Sequence, residues 1–260
     1  GLVLLANCDA AVVRLSLSCV VARSKRGKMG DTCLAVIDGT GPYNDTTYDN
    51  LMQYSFCNQI ARQIGAAARY ERGPSTEGYR VHERGERAAE FLLEGRRRGA
   101  RRLILAGYSR GGSAAIMGAE ILHKQGIRVD AMFLFDPVAR HASKGGVVVP
   151  ANVHLLYIAR RLLDPVLVAK YDHSIGPFWH TMFHNPMRVF FGETAVSHAT
   201  SVKAKIAAFR GSHGAIGGVG WKHVSEDADC QFEVAAFMNS AFAQARIPVQ
   251  LTSHPPTSVP

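Results

Sequence analysis

The residues best equipped for chemistry are Gly107-Tyr108-Ser109-Arg110-Gly111-Gly112, which join a strongly apolar run, Arg101 to Ala106, to a stretch rich in small residues. A serine at a tight strand-to-helix turn is held in a strained backbone, and glycines two residues on either side leave room for it. Its hydroxyl then projects from the carboxyl end of the strand, where the dipole of the following helix favours a developing negative charge. The chemistry this suggests is nucleophilic attack by Ser109 on an acyl carbonyl. A glycine-rich turn without chemistry is the competing reading, and the strand before and the helix after favour the first.

A serine hydroxyl needs a base, and the base needs an orienting carboxylate, following here in the order Ser, Asp, His. Asp136 ends the next strand-like run in FLFDPVAR and is the expected acid, although Asp-Pro is also an ordinary turn former. Asp164, in a second Asp-Pro, and Asp172 are its rivals. Eleven histidines make identity alone uninformative. His213 is favoured as base because FRGSHGAIGGVGW places it in a glycine-rich loop after the last candidate strand, far downstream of the acid. The oxyanion that forms requires two backbone donors. Arg110, directly after the nucleophile, is the first; the loop Asp38-Gly39-Thr40-Gly41 is the natural source of the second, through Gly39 and Thr40, unless DGTG is only a tight turn.

Other chemistries fare worse. WHTMFH spaces His180 and His184 four apart near His173, but no glutamate follows the first histidine as in HExxH and no third ligand is evident, so no metal is expected. No GxGxxG or GxxxxGK[ST] occurs, so no nucleotide cofactor is expected either. The aromatic, Pro- and His-rich residues 171–195 are read instead as a lid-like wall over the site.

The elements that must hold these residues alternate regularly. Leu34 to Asp38, a weak run over Ala68 to Pro74, Arg101 to Ala106, Ala131 to Asp136, Val153 to Ala159 and Lys205 to Phe209 read as strands. Helices are expected over 48–69, with Tyr54, Cys57, Ile60, Ala61 and Ile64 on one apolar face, and over 83–97, 113–124 and 229–246. Such alternation predicts an α/β fold with a mostly parallel central sheet covered by helices on both faces. The proline-bearing tail from Ile247 is expected to be loose.

Composition is that of an ordinary globular chain: 260 residues, 47% hydrophobic, 20% charged, with no biased tract or internal repeat, hence a single domain. The five cysteines are odd in number and scattered, which argues for reduced thiols rather than a disulfide framework. The apolar residues 2–22 are interrupted by Asn7, Asp9 and Arg14, and each ionised group at a bilayer centre costs about 2.5 to 3.5 kcal/mol. The basic cluster follows that stretch, unlike the order in a secretory signal. Met29 is therefore expected to be the natural start, with 1–28 an extension or fragment edge and 29–260 the domain; an N-terminal anchor is the alternative. A soluble chain, cytoplasmic or delivered without a cleavable signal peptide, is expected. The net charge of +9 permits peripheral contact with an anionic membrane. Nucleic acid is not an expected partner, because the densest basic cluster, Arg96 to Arg98 with Arg101 and Arg102, reads as a solvated helix end.

Taken in order, VIDGTG, RYERGPSTEG, GYSRGG, FLFDPVA and FRGSHGAIGGVG resemble the motifs FDGTxN, YxxGxGT, GFSRGA, WDTV and FxGxHxDVGGG of the α/β-hydrolase family that includes phospholipase effectors of type VI secretion. The resemblance spans roughly residues 34–221. It implies an α/β-hydrolase fold, Ser109 as nucleophile, Asp136 as acid, His213 as base, and an acyl ester or lipid substrate. The family aspartate two residues after the histidine is Ala215 here, and its WDTV is FDPV. A serine hydrolase of lipid or phospholipid acyl esters is the leading expectation. A thioesterase or small-ester esterase, and a catalytically silent binding protein of the same fold, are the alternatives.

Overall fold

Alternation along the first strand sets up the two layers of the molecule. On β1 (Thr32–Ile37), Leu34 and Val36 face one core while Cys33, Ala35 and Ile37 face the other, and all five are buried. A strand buried on both faces belongs inside a parallel sheet. The computed structural model describes residues 31–74, 80–139, 146–162, 197–222 and 224–255. The extension expected over 1–28, the start at Met29, the lid-like residues 171–195 with His173, His180 and His184, and the rival acids Asp164 and Asp172 lie outside the described residues.

Helix α1 (Asp45–Met52) follows β1, its first turn capped by the Asn44 side chain, and α2 (Phe56–Ile64) follows with Ser55 as cap. A short 3₁₀ turn, Gly65–Ala67, leads into β2 (Ala68–Glu71). Then come α3 (Val81–Arg97), β3 (Arg102–Tyr108), α4 (Arg110–Lys124) and β4 (Val129–Phe135). The short β5 (Val148–Val149), β6 (Val153–Arg161), the short β7 (Ser197–His198), β8 (Lys203–Phe209), the one-turn α5 (His213–Ile216) and α6 (Asp227–Gln244) complete the order.

Six strands form one sheet in the order β2-β1-β3-β4-β6-β8, with every pairing parallel. Residues of α1, α2, α5 and α6 pack on one face, where Phe133 meets Phe242 at 4.4 Å between ring centroids and Tyr157 at 5.3 Å. Residues of α3 and α4 pack on the other. Full burial of each such ring contributes roughly 1.5 to 3 kcal/mol. This is the α/β architecture anticipated from the sequence, a parallel central sheet covered by helices on both faces. From β1 the chain crosses to β2 on one side and then to β3 on the other, so the strand order reverses between β1 and β3. In open parallel sheets the crevice outside the carboxyl ends at such a reversal is where ligands bind, and Asp38 and Ser109 follow directly from those two strands.

Three expectations change. The helix expected over 48–69 is two helices, because Ser55 leaves the helical path to cap α2 and to bond Asp38; Tyr54 sits in the break, 38% exposed, and stacks on His254. His213 opens a helical turn rather than lying in a loop. The tail is not loose through Pro255: Ile247, Val249 and Leu251 are buried, while the Gln250 and Thr252 amides donate to the side chains of Gln63 and Gln59 at 2.9 Å each. Apolar residues at alternate positions, with polar ones between them bonding to α2, let an extended segment cover the helix. Among the described residues no helix is long and apolar enough to cross a membrane.

Candidate active site

Ser109 occupies a backbone conformation that side chains rarely adopt, φ 56° and ψ −128°, between the end of β3 and the first turn of α4. Such strain costs about 1 to 3 kcal/mol and persists only where the surroundings fix it. Here the Ser109 N–H donates to the Phe135 carbonyl at 3.0 Å, and the Ser109 carbonyl accepts from Gly112 and Val138 at 3.0 and 2.9 Å. The turn folds the start of α4 back onto β3 so tightly that a Cβ at Gly107 would lie 2.5 Å from the Gly111 carbonyl oxygen. A Cβ at Gly111 would overlap the carbonyls of Ile37 and Asp38. The two glycines are therefore a steric condition of the elbow.

The His213 ring meets Ser109 on one side and Asp136 on the other. Its Nε2 lies 2.8 Å from Ser109 Oγ and its Nδ1 lies 2.6 Å from Asp136 Oδ2. A carboxylate at Nδ1 keeps the proton there, which leaves Nε2 as an acceptor for the serine hydroxyl. All three residues are buried. The turn bearing His213 is clamped by a buried aspartate: Asp227 accepts from the Ser212 amide at 2.8 Å, the Ser212 hydroxyl at 2.5 Å and the Trp221 amide at 2.7 Å. From below, Tyr108 donates its hydroxyl to the His213 carbonyl at 3.0 Å, and its ring packs against the imidazole at 4.9 Å between centroids, tilted by 33°.

Asp136 also carries a positive φ, 39°, and its amide donates to the Ala159 carbonyl at 2.7 Å. Arg161, at the end of β6, donates its backbone N–H to Asp136 Oδ1 at 3.2 Å and its Nε to Oδ2. Burial alone would raise this carboxyl, but the Arg161 guanidinium and the His213 hydrogen bond outweigh it and hold the group at about 2. Burial pushes the His213 pKa down; the hydrogen bond to Asp136 opposes this, and Arg161 and Arg110 add to it. A neutral imidazole beside an ionised carboxylate is a competent base at neutral pH.

On the other side of the elbow, Arg110 opens α4 and the loop 38–41 leaves β1. Asp38 is fully buried under that loop, accepting from Gly39 N–H at 2.8 Å, from the Tyr70 hydroxyl at 2.8 Å and from the Ser55 hydroxyl. Burial raises its pKa to about 6 against these hydrogen bonds. The Gly39 N–H, expected from the sequence to face the substrate, is thus turned to Asp38 because the side chain of its own neighbour competes for it. The Thr40 amide has no hydrogen bond among the described residues.

Ser109, His213 and Asp136 are brought into one hydrogen-bonded chain, with Arg110 next to Ser109 in sequence and the 38–41 loop packed against the elbow through Asp38 and Gly39. Arg161, Asp227 and the Asp38–Ser55–Tyr70 group were not anticipated. Their only sequence signals were an arginine pair closing an apolar strand, an acid at the start of the last helix and an aspartate ending LAVID. Among the described residues no group of three or more His, Cys, Asp or Glu side chains is placed to hold a metal ion.

No family model matches the chain, and no curated protein does. Among solved structures it is similar to YbtT, a type II thioesterase from a yersiniabactin NRPS/PKS biosynthetic pathway, at 13% identity and a TM-score of 0.34, covering 83% of this chain and 95% of that one. It is also similar to the protein Atu2452 of unknown function from Agrobacterium tumefaciens str. C58, at 18% identity and a TM-score of 0.30, covering 80% and 92%. At these scores neither likeness carries an argument about what the site does.

Proposed function

We propose that this chain is a serine hydrolase of carboxylic esters, and of lipid or phospholipid acyl esters in particular. The observation that carries the reading is the chain of contacts Ser109 Oγ, His213 Nε2, His213 Nδ1, Asp136 Oδ2, built on a strained elbow at the reversal of the sheet. His213 Nε2 takes the proton of Ser109 as Oγ attacks the acyl carbon. The Arg110 amide and the 38–41 loop face the oxyanion. Protonated His213 is stabilised by Asp136 and returns the proton to the leaving alcohol. Water, activated by the same imidazole, then releases the acyl group. The lipid half of the reading rests on the ordered motif resemblance.

A fluorophosphonate probe tests the first half. Labelling of the wild type and its loss in Ser109→Ala are the expected results; a wild type that is not labelled, or a Ser109→Ala variant labelled equally well, refutes it and leaves a silent binding fold. Turnover across p-nitrophenyl esters of increasing chain length, a phospholipid panel and an acyl thioester tests the second half. Preference for the thioester or for the shortest ester overturns the lipid assignment.

A further inference from the structure

Three buried side-chain polar atoms have no hydrogen-bond partner among the described residues: Thr40 Oγ1, Arg72 Nε and Asn152 Oδ1. Two of them sit on side chains anchored through other atoms. Arg72 donates from its terminal nitrogens to the Pro42 and Tyr43 carbonyls and to Asp45. The Asn152 nitrogen donates to the Ala119 and Ile127 carbonyls, just before β6 and so at the amino end of the sheet. For Thr40 the hydroxyl is the whole polar content of the side chain. Native structures seldom leave such a group buried and unpaired, and where one persists at a site a ligand atom can complete it.

Its position fits that role. In the sheet register Ile37 lies opposite Gly107, so the loop after β1 runs against the elbow. Gly39 lies so close to Tyr108 that a Cβ there would overlap the ring, and the Asp38 carbonyl leaves no space for one at Gly111. The loop is also held in one orientation. Gly39 N–H is bound to Asp38, and the Gly39 carbonyl accepts from Tyr48 Oη at 2.8 Å, which itself accepts from the Gly73 amide at 2.7 Å. With that carbonyl tied to Tyr48, the planar trans peptide turns the Thr40 N–H to the opposite side. Among the described residues, both Thr40 donors, amide and hydroxyl, are thus without a partner in a loop fixed from behind.

We infer that Thr40 is a catalytic residue that donates two hydrogen bonds to the oxyanion, from its N–H and from its Oγ1–H, alongside the Arg110 amide. The inference rests on the serine-hydrolase reading. It adds a side-chain donor, which substitution can remove, to a set of backbone donors, which it cannot.

Thr40→Val keeps the shape and the amide and removes only the hydroxyl; Thr40→Ser keeps the hydroxyl. Turnover of an activated ester, the rate of fluorophosphonate labelling and the melting temperature are measured for both, with wild type and Ser109→Ala as references. Loss of one side-chain oxyanion donor lowers kcat by roughly a hundredfold to a thousandfold. Thr40→Val is expected to lose kcat on that scale with KM little changed and the melting temperature equal to or above wild type, since a buried unpaired hydroxyl has been replaced by a methyl. Thr40→Ser is expected to stay near wild type. A hydroxyl with a merely structural role would instead lower the melting temperature and spare kcat. An active wild type with Thr40→Val of unchanged kcat, or with Thr40→Ser as impaired as Thr40→Val, overturns the inference alone. A wild type without labelling or turnover overturns the hydrolase reading and this inference with it.

Discussion

Replacing Asp38 by asparagine is expected to stabilise the protein at neutral pH, although Asp38 is buried and accepts hydrogen bonds from Ser55, Tyr70 and Gly39. Burial raises this carboxyl from 3.8 to about 6 despite those bonds, and Tyr48 and Cys57 packed nearby supply no positive charge. The sign follows from proton binding. Between about pH 4 and pH 6 the unfolded chain has lost the Asp38 proton while the folded chain keeps it, so stability falls as pH rises through that window. The displacement corresponds to about 3 kcal/mol, lost in full above pH 6. Asparagine keeps an acceptor for the Gly39 amide and carries no charge. Urea denaturation of wild type and Asp38→Asn is the assay, at pH 4 and at pH 8, with fluorophosphonate labelling to verify that the elbow is intact. Equal stability at pH 4 and a gain for the variant at pH 8, of up to about 3 kcal/mol or roughly 6 to 12 °C in melting temperature, is expected. A variant less stable at pH 8, or a difference that is the same at both pH values, would refute the reasoning, since either would mean that hydrogen bonding and not buried charge governs the site.

Two further outcomes concern His213, the base of the proposed reaction. The His213 pKa is held below its ordinary value of 6.5, so the acid limb of kcat/KM is expected to have its midpoint below pH 6.5 and to survive in Asp38→Asn; a midpoint above 6.5 contradicts it. Arg161→Met removes a cation that holds Asp136 near 2 and His213 down. The stabilisation from Asp136 is present above about pH 4 and lost as pH falls toward 2. The variant is therefore expected to be less stable than wild type at pH 7, with the deficit shrinking as pH falls toward 2. Its kcat/KM limb is expected to move up in pH. An unmoved limb would mean that Arg161 does not act on the base.

The strained turn at Ser109 was legible because its constraint is local: a strained serine between a strand and a helix demands glycines at fixed offsets, and Gly107 and Gly111 stand there. The meeting of Asp136 and His213 with Ser109 was legible because parallel strands deliver their carboxyl ends to one side, which brings Asp136 and the residues after β8 to the same edge as Ser109. The unbroken apolar runs in LAVID and LILA likewise pointed to strands buried on both faces. The break at Ser55 was hidden, because the apolar spacing of 48–69 suits one helix and only the need to cap α2 and reach Asp38 interrupts it.

What tertiary structure alone decided is the set of partners joined across long stretches of chain. Arg161 meets Asp136 because β4 and β6 are neighbours with Phe135 opposite Ala159. Asp227 reaches Ser212 because α6 packs beneath the histidine turn. The choice between Gly39 and Thr40 depended on Asp38 competing for one amide while Tyr48 fixed the next peptide. Residue types and spacing determine which groups can react. Which of them are left ionised, oriented or unpaired depends on burial and on neighbours distant in sequence, and those exist only once the sheet has closed around them.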